Sequence, residues 1–307
     1  MLANQLKRGV SLKILIVGGT NFVGPHIVSR LMKNGHEVTT FTRGILPPVE
    51  NVESIVGDRD KGFYELKERR WDVVIDTCGF FPSQVKSSVR FFHLRTNTYV
   101  FISSVNAYRD AAQPSIDELY PLAKTPLLAR FRSLNENNYG ALKAGCEAVV
   151  KSFFPKRNLI LRPGYIAGAA DPSRRLATLV QRIKDETHLI IPGYPDNPWQ
   201  IIDVDDLAQW LVLALEKGLE GAYNLTGPSL SAKTILETLA NLLDVGTRFR
   251  WMGEGASPAG VRDPVMEWAN LPSSWVHLYR INSNKAVKDG LIIRPLAETA
   301  SRCVLDA

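Results

Sequence analysis

The sequence predicts an α/β protein, a doubly wound parallel sheet followed by a smaller C-terminal lobe. Three observations carry this. Short aliphatic runs alternate with helix-period segments through the first half of the chain. A glycine-rich turn directly follows the first run. Beyond Gly164 the texture changes, with Pro163, Pro172, Pro192, Pro195 and Pro198 punctuating shorter elements.

Residues 13–17 form an aliphatic run that ends in glycines and reads as the first strand. Residues 23–33 then place Val23, Ile27, Val28, Leu31 and Met32 at the spacing of one helical face. Gly35 stops that helix, as glycine does after a last turn. Residues 37–42, 51–56 and 71–76 follow as strands. Pro82 opens a helix that reaches about residue 94, and 98–103 is a fifth strand. After a long polar loop, a helix covers roughly 135–154, and 158–161 is a sixth strand. Strands alternating with helices imply right-handed βαβ units with helices on both faces. Helices also fit 174–184 and 206–216, and 222–225 reads as one more strand.

Composition narrows the classes. The 307 residues are 45% hydrophobic and 22% charged, ordinary for a globular protein. No apolar run reaches the ~20 residues of a membrane helix. Residues 1–11 carry Lys7 and Arg8 but no apolar stretch of signal length, so they read as a loose extension and the default location is the cytoplasm. Cys78, Cys146 and Cys303 are odd in number and far apart, which disfavours a disulfide framework. Neither cysteine nor histidine spacing suggests a protein-held metal. The net charge of +6 favours anionic partners: a phosphorylated cofactor, a nucleotide sugar or nucleic acid. The positive charges are scattered, and solvated surface explains most of them.

The turn Gly18-Gly19-Thr20-Asn21-Phe22-Val23-Gly24 sits between a strand and an amphipathic helix. Small residues there let the backbone approach a pyrophosphate, and the helix N-terminus offers free N–H groups to the anion. The expected middle glycine is replaced by Asn21, a residue that tolerates a left-handed backbone. The second strand ends Thr42-Arg43-Gly44, with no carboxylate to grip a ribose 2′-hydroxyl. An arginine instead suits a 2′-phosphate, which favours NADP(H) over NAD(H); a surface arginine after a strand has the same spelling. Asp58 and Arg59, after the third strand, are candidates to face the adenine, with helix capping as the competing role.

Tyr139 and Lys143 lie four apart in a helix and so share a face. An ammonium beside a phenol favours the phenolate and lowers its pKa, which suits a tyrosine that gives or takes a proton. Ser104 sits where the fifth strand ends, the side of the sheet where ligands bind. Its hydroxyl can bond a carbonyl oxygen. The order of phosphate loop, serine and Tyr/Lys helix is that of a hydride-transfer site.

With these motifs, together with Tyr108, Arg162-Pro163-Gly164 and Ile202-Asp203-Val204-Asp205-Asp206-Leu207-Ala208, the chain resembles the extended short-chain dehydrogenase/reductases of the NAD-dependent epimerase/dehydratase superfamily. The resemblance spans nearly the whole chain and implies a Rossmann-type fold. It implies that Ser104, Tyr139 and Lys143 are catalytic, that Lys143 also holds the nicotinamide ribose, and that Pro163 to Tyr165 lie along the nicotinamide. It reads the Asp205-Asp206 segment as structural, with one of the pair capping a helix. Sugar dehydratases of this superfamily carry Asp-Glu after the catalytic hydroxyl residue; Val105 and Asn106 stand there instead, which disfavours dehydration. The Gly-Gly-Thr-Asn-Phe-Val-Gly loop resembles a branch that includes chloroplast stem-loop RNA-binding proteins.

The expected division is a dinucleotide-binding domain of 12–165 with 200–227, and a substrate lobe of 166–199 with 228–307. Asp171, Arg174 and Arg175 in that lobe are candidates to meet an anionic substrate, solvated helix ends being the plain alternative. The leading function is an NAD(P)-dependent reductase or epimerase acting on a secondary alcohol or ketone, with a sugar or nucleotide sugar as substrate. RNA binding on a retained dinucleotide fold is the alternative. A homodimer through long helices is what the resemblance implies.

Overall fold

The computed structural model describes residues 11–125, 134–253 and 273–305. In chain order the elements are β1 Lys13–Val17, α1 Val23–Lys33, β2 Glu37–Thr42, β3 Glu53–Val56, β4 Trp71–Asp76, α2 Pro82–Phe92, β5 Thr96–Ile102, α3 Glu136–Phe153, β6 Asn158–Pro163, β7 Tyr165–Ala167, α4 Arg175–Asp185, β8 His188–Ile191, β9 Pro198–Trp199, β10 Ile201–Asp203, α5 Val204–Glu216, β11 Gly221–Leu225, β12 Leu230–Ser231, α6 Ala232–Leu242, β13 Arg248–Trp251, α7 Asn284–Lys288 and α8 Leu296–Leu305.

Seven strands form one parallel sheet in the order β11-β6-β5-β4-β1-β2-β3. Chain direction across the sheet reverses between β1 and β4, whose C-terminal ends carry Gly18 and Asp76. That crevice is where ligands dock on such sheets. The inner strands are buried on both faces, which explains their unbroken apolar runs, whereas edge strand β3 is partly exposed. Alternate residues serve opposite sides: Ile14, Ile16, Val73, Ile75, Val100 and Ile102 pack with α1 and α5. Leu15, Val17, Val74, Tyr99 and Phe101 pack with Val85, Val89 and Phe92 of α2 and with Cys146 and Val150 of α3. A buried aliphatic side chain of this kind contributes about 1.5–3 kcal/mol.

A separate apolar cluster joins Leu176, Leu179, Val180 and Ile183 of α4 to Leu189 and Ile191 of β8, Trp199, Ile235, Leu236 and Leu239 of α6, and Cys303 of α8. Element bounds differ from the sequence expectation mainly at ends. Helix α5 starts at Val204 rather than 206, because the Asp203 side chain caps it by accepting from Asp205 N at 2.8 Å. The capping role expected of Asp205 or Asp206 therefore belongs to Asp203. Among the described residues no helix is long and apolar enough to cross a membrane.

Candidate active site

The phosphate loop is built on three close approaches. Gly18 and Gly19 have φ of 97° and 96°, a region costly for side-chain residues. A Cβ on Gly18 would lie 2.4 Å from Thr77 Oγ1, and one on Gly24 would lie 2.4 Å from the Gly19 backbone. Gly24 is thus what lets α1 press against the turn. The loop forms a cradle that fits a dinucleotide pyrophosphate at the α1 N-terminus. The left-handed strain expected at Asn21 falls one residue later, on Phe22, with φ of 37° at the N-cap. Asn21 instead offers its carbonyl to Gly24 N at 3.0 Å. Thr20 and Val23 complete the turn.

At the end of β2, Arg43 is exposed and free to reach a ligand. Thr42 Oγ1 accepts from Gly44 N at 3.1 Å and so shapes that turn. The two residues after β3 have different surroundings. Asp58 Oδ1 accepts from Asp60 N, closing a local turn rather than capping a helix. Arg59 is not presented to solvent: it is 7% exposed and donates to both oxygens of Asp76, each at 2.8 Å. Tyr99 Oη donates to Asp76 Oδ2 at 2.8 Å. Burial alone would raise the Asp76 carboxyl, but the adjoining guanidinium brings it below the ordinary carboxylate range.

Ser104 lies just beyond the end of β5 and caps a short 3-10 turn, its Oγ accepting from Asn106 N at 3.2 Å. Tyr139, in the first turn of α3, lies beside Ser104, close enough for the serine hydroxyl to lower the phenol's pKa. The contact depends on Gly140, where a Cβ would fall 1.9 Å from the Asn106 carbonyl oxygen. Only glycine lets α3 come that close. Lys143, one turn on, is 3% exposed and donates to Ile102 O at 2.8 Å and Gly79 O at 3.0 Å. Its Nζ lies 5.9 Å from the Tyr139 ring centroid and 4.8 Å from that of Phe101.

The electrostatics correct one expectation. Burial pushes the Tyr139 phenol above its ordinary value, partly offset by the Ser104 hydroxyl. The lysine's own pKa is lowered, again by burial. In this state, therefore, the phenol is held protonated rather than tuned towards phenolate.

The next turn of α3 supports this arrangement. Glu147, one turn beyond Lys143, is fully buried and accepts from Ser103 Oγ at 2.7 Å and from Arg162 Nε and Nη2 at 2.9 and 2.7 Å. Arg162 also donates to Tyr108 Oη at 3.1 Å, and Tyr108 donates to Asn224 Oδ1 at 2.7 Å. The network ties β5, α3, β6 and β11 beneath the reacting groups. Pro163 ends β6 and Tyr165 opens β7, so the chain turns there beside the β5 end. Gly164 N donates to Leu225 O at 3.1 Å.

In the second cluster, Arg175 stacks 4.2 Å over the Tyr165 ring and donates to Ser173 Oγ. Asp171 Oδ1 accepts from Ser173 N and Oγ, closing a turn. Arg174 is the N-cap of α4 with φ of 49°. These three residues share one loop. Asp205 forms a second hub, accepting from Arg302 Nη1 at 3.0 Å and Arg30 Nη2 at 3.3 Å, with His26 Nδ1 at 3.0 Å. No group of three or more metal-ligating side chains occurs among the described residues.

Sequence reasoning missed Asp76, Gly79, Gly140 and Glu147. Glu147 carried a usable signal, since Tyr139, Lys143 and Glu147 recur every four residues on one face.

An Arabidopsis thaliana chloroplast stem-loop binding protein of 41 kDa is 40% identical over 245 residues, covering 70% of this chain and 58% of that protein. A chloroplastic protein of the same plant is 27% identical over 170 residues, covering 51% of each chain. The chain thus spans little more than half the length of these relatives. A probable UDP-arabinose 4-epimerase of Oryza sativa is 24% identical, covering 78% of this chain and 71% of the epimerase. Among solved structures, a Burkholderia cenocepacia protein described as an epimerase superposes with a TM-score of 0.73 at 17% identity, covering 97% and 98% of the two chains. A Bacillus cereus UDP-N-acetylglucosamine 4-epimerase gives 0.70 at 17%, covering 96% and 99%. Both share the fold. The model of the NAD dependent epimerase/dehydratase family matches residues 14–226, and the chain belongs to that family.

Proposed function

We propose that the chain catalyses reversible oxidation at a secondary alcohol carbon, as an epimerase or reductase acting on a sugar or nucleotide sugar. The observation that carries this is the grouping of Ser104, Tyr139 and the buried Lys143, whose Nζ lies 5.9 Å from the Tyr139 ring centroid and donates to Ile102 O, at the strand end facing the glycine cradle. A bound nicotinamide dinucleotide supplies the hydride acceptor and donor. Tyr139 Oη exchanges the hydroxyl proton, and Ser104 Oγ holds the substrate oxygen in place. Lys143 has one N–H direction beyond its two carbonyl acceptors and turns it towards the nicotinamide ribose. Its positive charge counters the phenolate that forms during proton transfer. Pro163 and Tyr165 flank the nicotinamide, and Gly18 to Gly24 hold the pyrophosphate.

A keto intermediate that turns over before reduction gives epimerisation; one that leaves gives a reductase. The names of the relatives favour the epimerase. Val105 and Asn106 supply neither acid nor base, which disfavours dehydration. Arg43 supports NADP(H) as the cofactor. Asp171, Arg174 and Arg175 are assigned to an anionic substrate, with the second apolar cluster as the substrate lobe. Fluorescence titration with NADPH and NADH, on the protein and on an Arg43→Ala variant, tests the reading. Tight NADPH binding that weakens at least tenfold in the variant supports it, by loss of a charge-assisted phosphate contact. Binding of neither nucleotide defeats it.

A second reading, RNA binding on the same fold, is favoured by a groove of about 550 Å³ along α2, lined by Ser83, Lys86, Ser87, Arg90, Phe91 and Arg95. Arg95 stacks 4.5 Å over Phe91, leaving its outer face for a base. One relative is named as a stem-loop binding protein. RNA affinity that falls steeply with salt, and falls further in a Lys86→Glu/Arg90→Glu variant, supports this reading.

A further inference from the structure

The loop 77–80 joins β4 to α2 and forms the floor beneath Lys143. Its Gly79 carbonyl accepts from Lys143 Nζ at 3.0 Å, and the Phe80 ring centroid lies 5.0 Å from the same nitrogen. The loop is itself gripped from behind. Asp76 is completely buried, and its Oδ1 accepts from Cys78 N at 3.2 Å while Arg59 holds both carboxylate oxygens. A Cβ on Gly79 would lie 3.1 Å from Asp76 Oδ2, 2.7 Å from Val85 and 2.8 Å from Phe101. The glycine is therefore wedged between the carboxylate and the core, and its carbonyl has one direction available.

A strand end needs no buried ion pair for stability, because apolar side chains of similar volume serve as well or better. What the pair adds is direction. A bidentate guanidinium fixes the plane of the carboxylate. The carboxylate then fixes the Cys78 N–H and, two peptide units further along the loop, constrains the Gly79 carbonyl. The charge of Asp76 also opposes the loss of the Lys143 proton that burial favours.

We propose that Arg59 and Asp76 are positioning residues, acting through loop 77–80 to aim Lys143 at the nicotinamide half of the bound dinucleotide. This rests on the hydride-transfer reading above. It also moves Arg59 away from the adenine, the role expected from its sequence position.

The experiment separates the two halves of the cofactor. Affinities are measured for whichever of NADPH or NADH binds more tightly, and for the matching adenosine fragment, 2′,5′-ADP or ADP, which lacks the nicotinamide. Asp76→Asn and Arg59→Met are tested alone and in a Lys143→Met background. The dinucleotide should weaken roughly tenfold in each single variant, the fragment should stay within about twofold, and the loss should vanish when Lys143 is already gone, as coupling through that residue requires. Asn retains the size of Asp and an oxygen for Cys78 N, so Asp76→Asn carries the test where Arg59→Met fails to fold. Equal weakening of dinucleotide and fragment would place the pair at the adenosine end and overturn the proposal. So would unchanged affinity, or a loss that adds in full to that of Lys143→Met. A chain that binds the adenosine fragment but neither dinucleotide overturns it as well. If the unaltered chain binds none of these ligands, the hydride-transfer reading itself falls, and this inference with it.

Discussion

Replacing Arg59 with methionine should destabilise the protein in a way that depends on pH. The substitution keeps the bulk of the side chain and strands the Asp76 carboxylate, which is 0% exposed. Two acceptor bonds survive, from Tyr99 Oη at 2.8 Å and Cys78 N at 3.2 Å, but two charge-assisted bonds are lost. Breaking one side of a buried pair costs about 3–5 kcal/mol. Protonation sets a ceiling. From its ordinary value of 3.8, the aspartate can take up a proton at about 1.4 kcal/mol per pH unit, so the part of the cost due to the stranded charge cannot exceed about 4.4 kcal/mol at pH 7 or about 1.6 kcal/mol at pH 5. Lys143 supplies part of the missing charge, which brings the expected loss to about 3 kcal/mol at pH 7. The assay is urea unfolding followed by tryptophan fluorescence at both pH values. An Arg59→Met/Asp76→Asn double variant should recover most of the loss, because no buried charge remains unpaired. A loss below about 1 kcal/mol at pH 7, or one that is the same at pH 5, would refute the reasoning, since a stranded carboxylate must show both its magnitude and its proton linkage.

Tyr139→Phe should lower turnover by 10²- to 10⁴-fold, the usual range for a lost acid–base group, while dinucleotide affinity holds. Comparing turnover with fluorescence titration checks it. Gly140→Ala should cost about 1–3 kcal/mol by overpacking and also reduce activity, because α3 must withdraw from Asn106 and carry Tyr139 with it; thermal melts and turnover measure the two effects. His36 is 8% exposed and its pKa is lowered, by burial first, with Glu216 opposing. A depressed histidine pKa means that the unfolded chain binds the proton more readily, so stability is full above the unfolded value of 6.5 and declines as pH falls below it. His36→Asn should remove that part of the decline in urea midpoints measured between pH 7.5 and 5.5.

Much of the sheet was legible because its signal is local. The strand and helix bounds of β1, α1, β2 and β4 follow from runs and periods within a single segment. Ser104, Tyr139 and Lys143 stood out because each sits at a recognisable place in such a segment, and the structure brings the three together. What escaped was pairwise and distant. Nothing near Arg59 announces Asp76, 17 positions later and three strands across the sheet. Arg59 therefore reads, from sequence alone, as a residue that faces the adenine or caps a helix. The strain at Phe22 escaped for another reason: side-chain preference points to Asn21, while the register of α1 decides which residue turns. The phenol of Tyr139 was expected to be lowered by its lysine. Helical spacing gives proximity but says nothing of burial, and burial dominates here.

The Asp205 hub bears on the order in which this chain can mature during synthesis. Its partners His26 and Arg30 come from the helix of the phosphate loop, whereas Arg302 lies in α8, far along the chain. Arg294, in the run leading into α8, holds the neighbouring Asp206 at 2.7 Å. The glycine loop is translated well before these arginines, yet the charge clasp that seats its helix closes only after α8 has left the ribosome. A nascent chain stalled anywhere before residue 294 carries the nucleotide cradle without its lock.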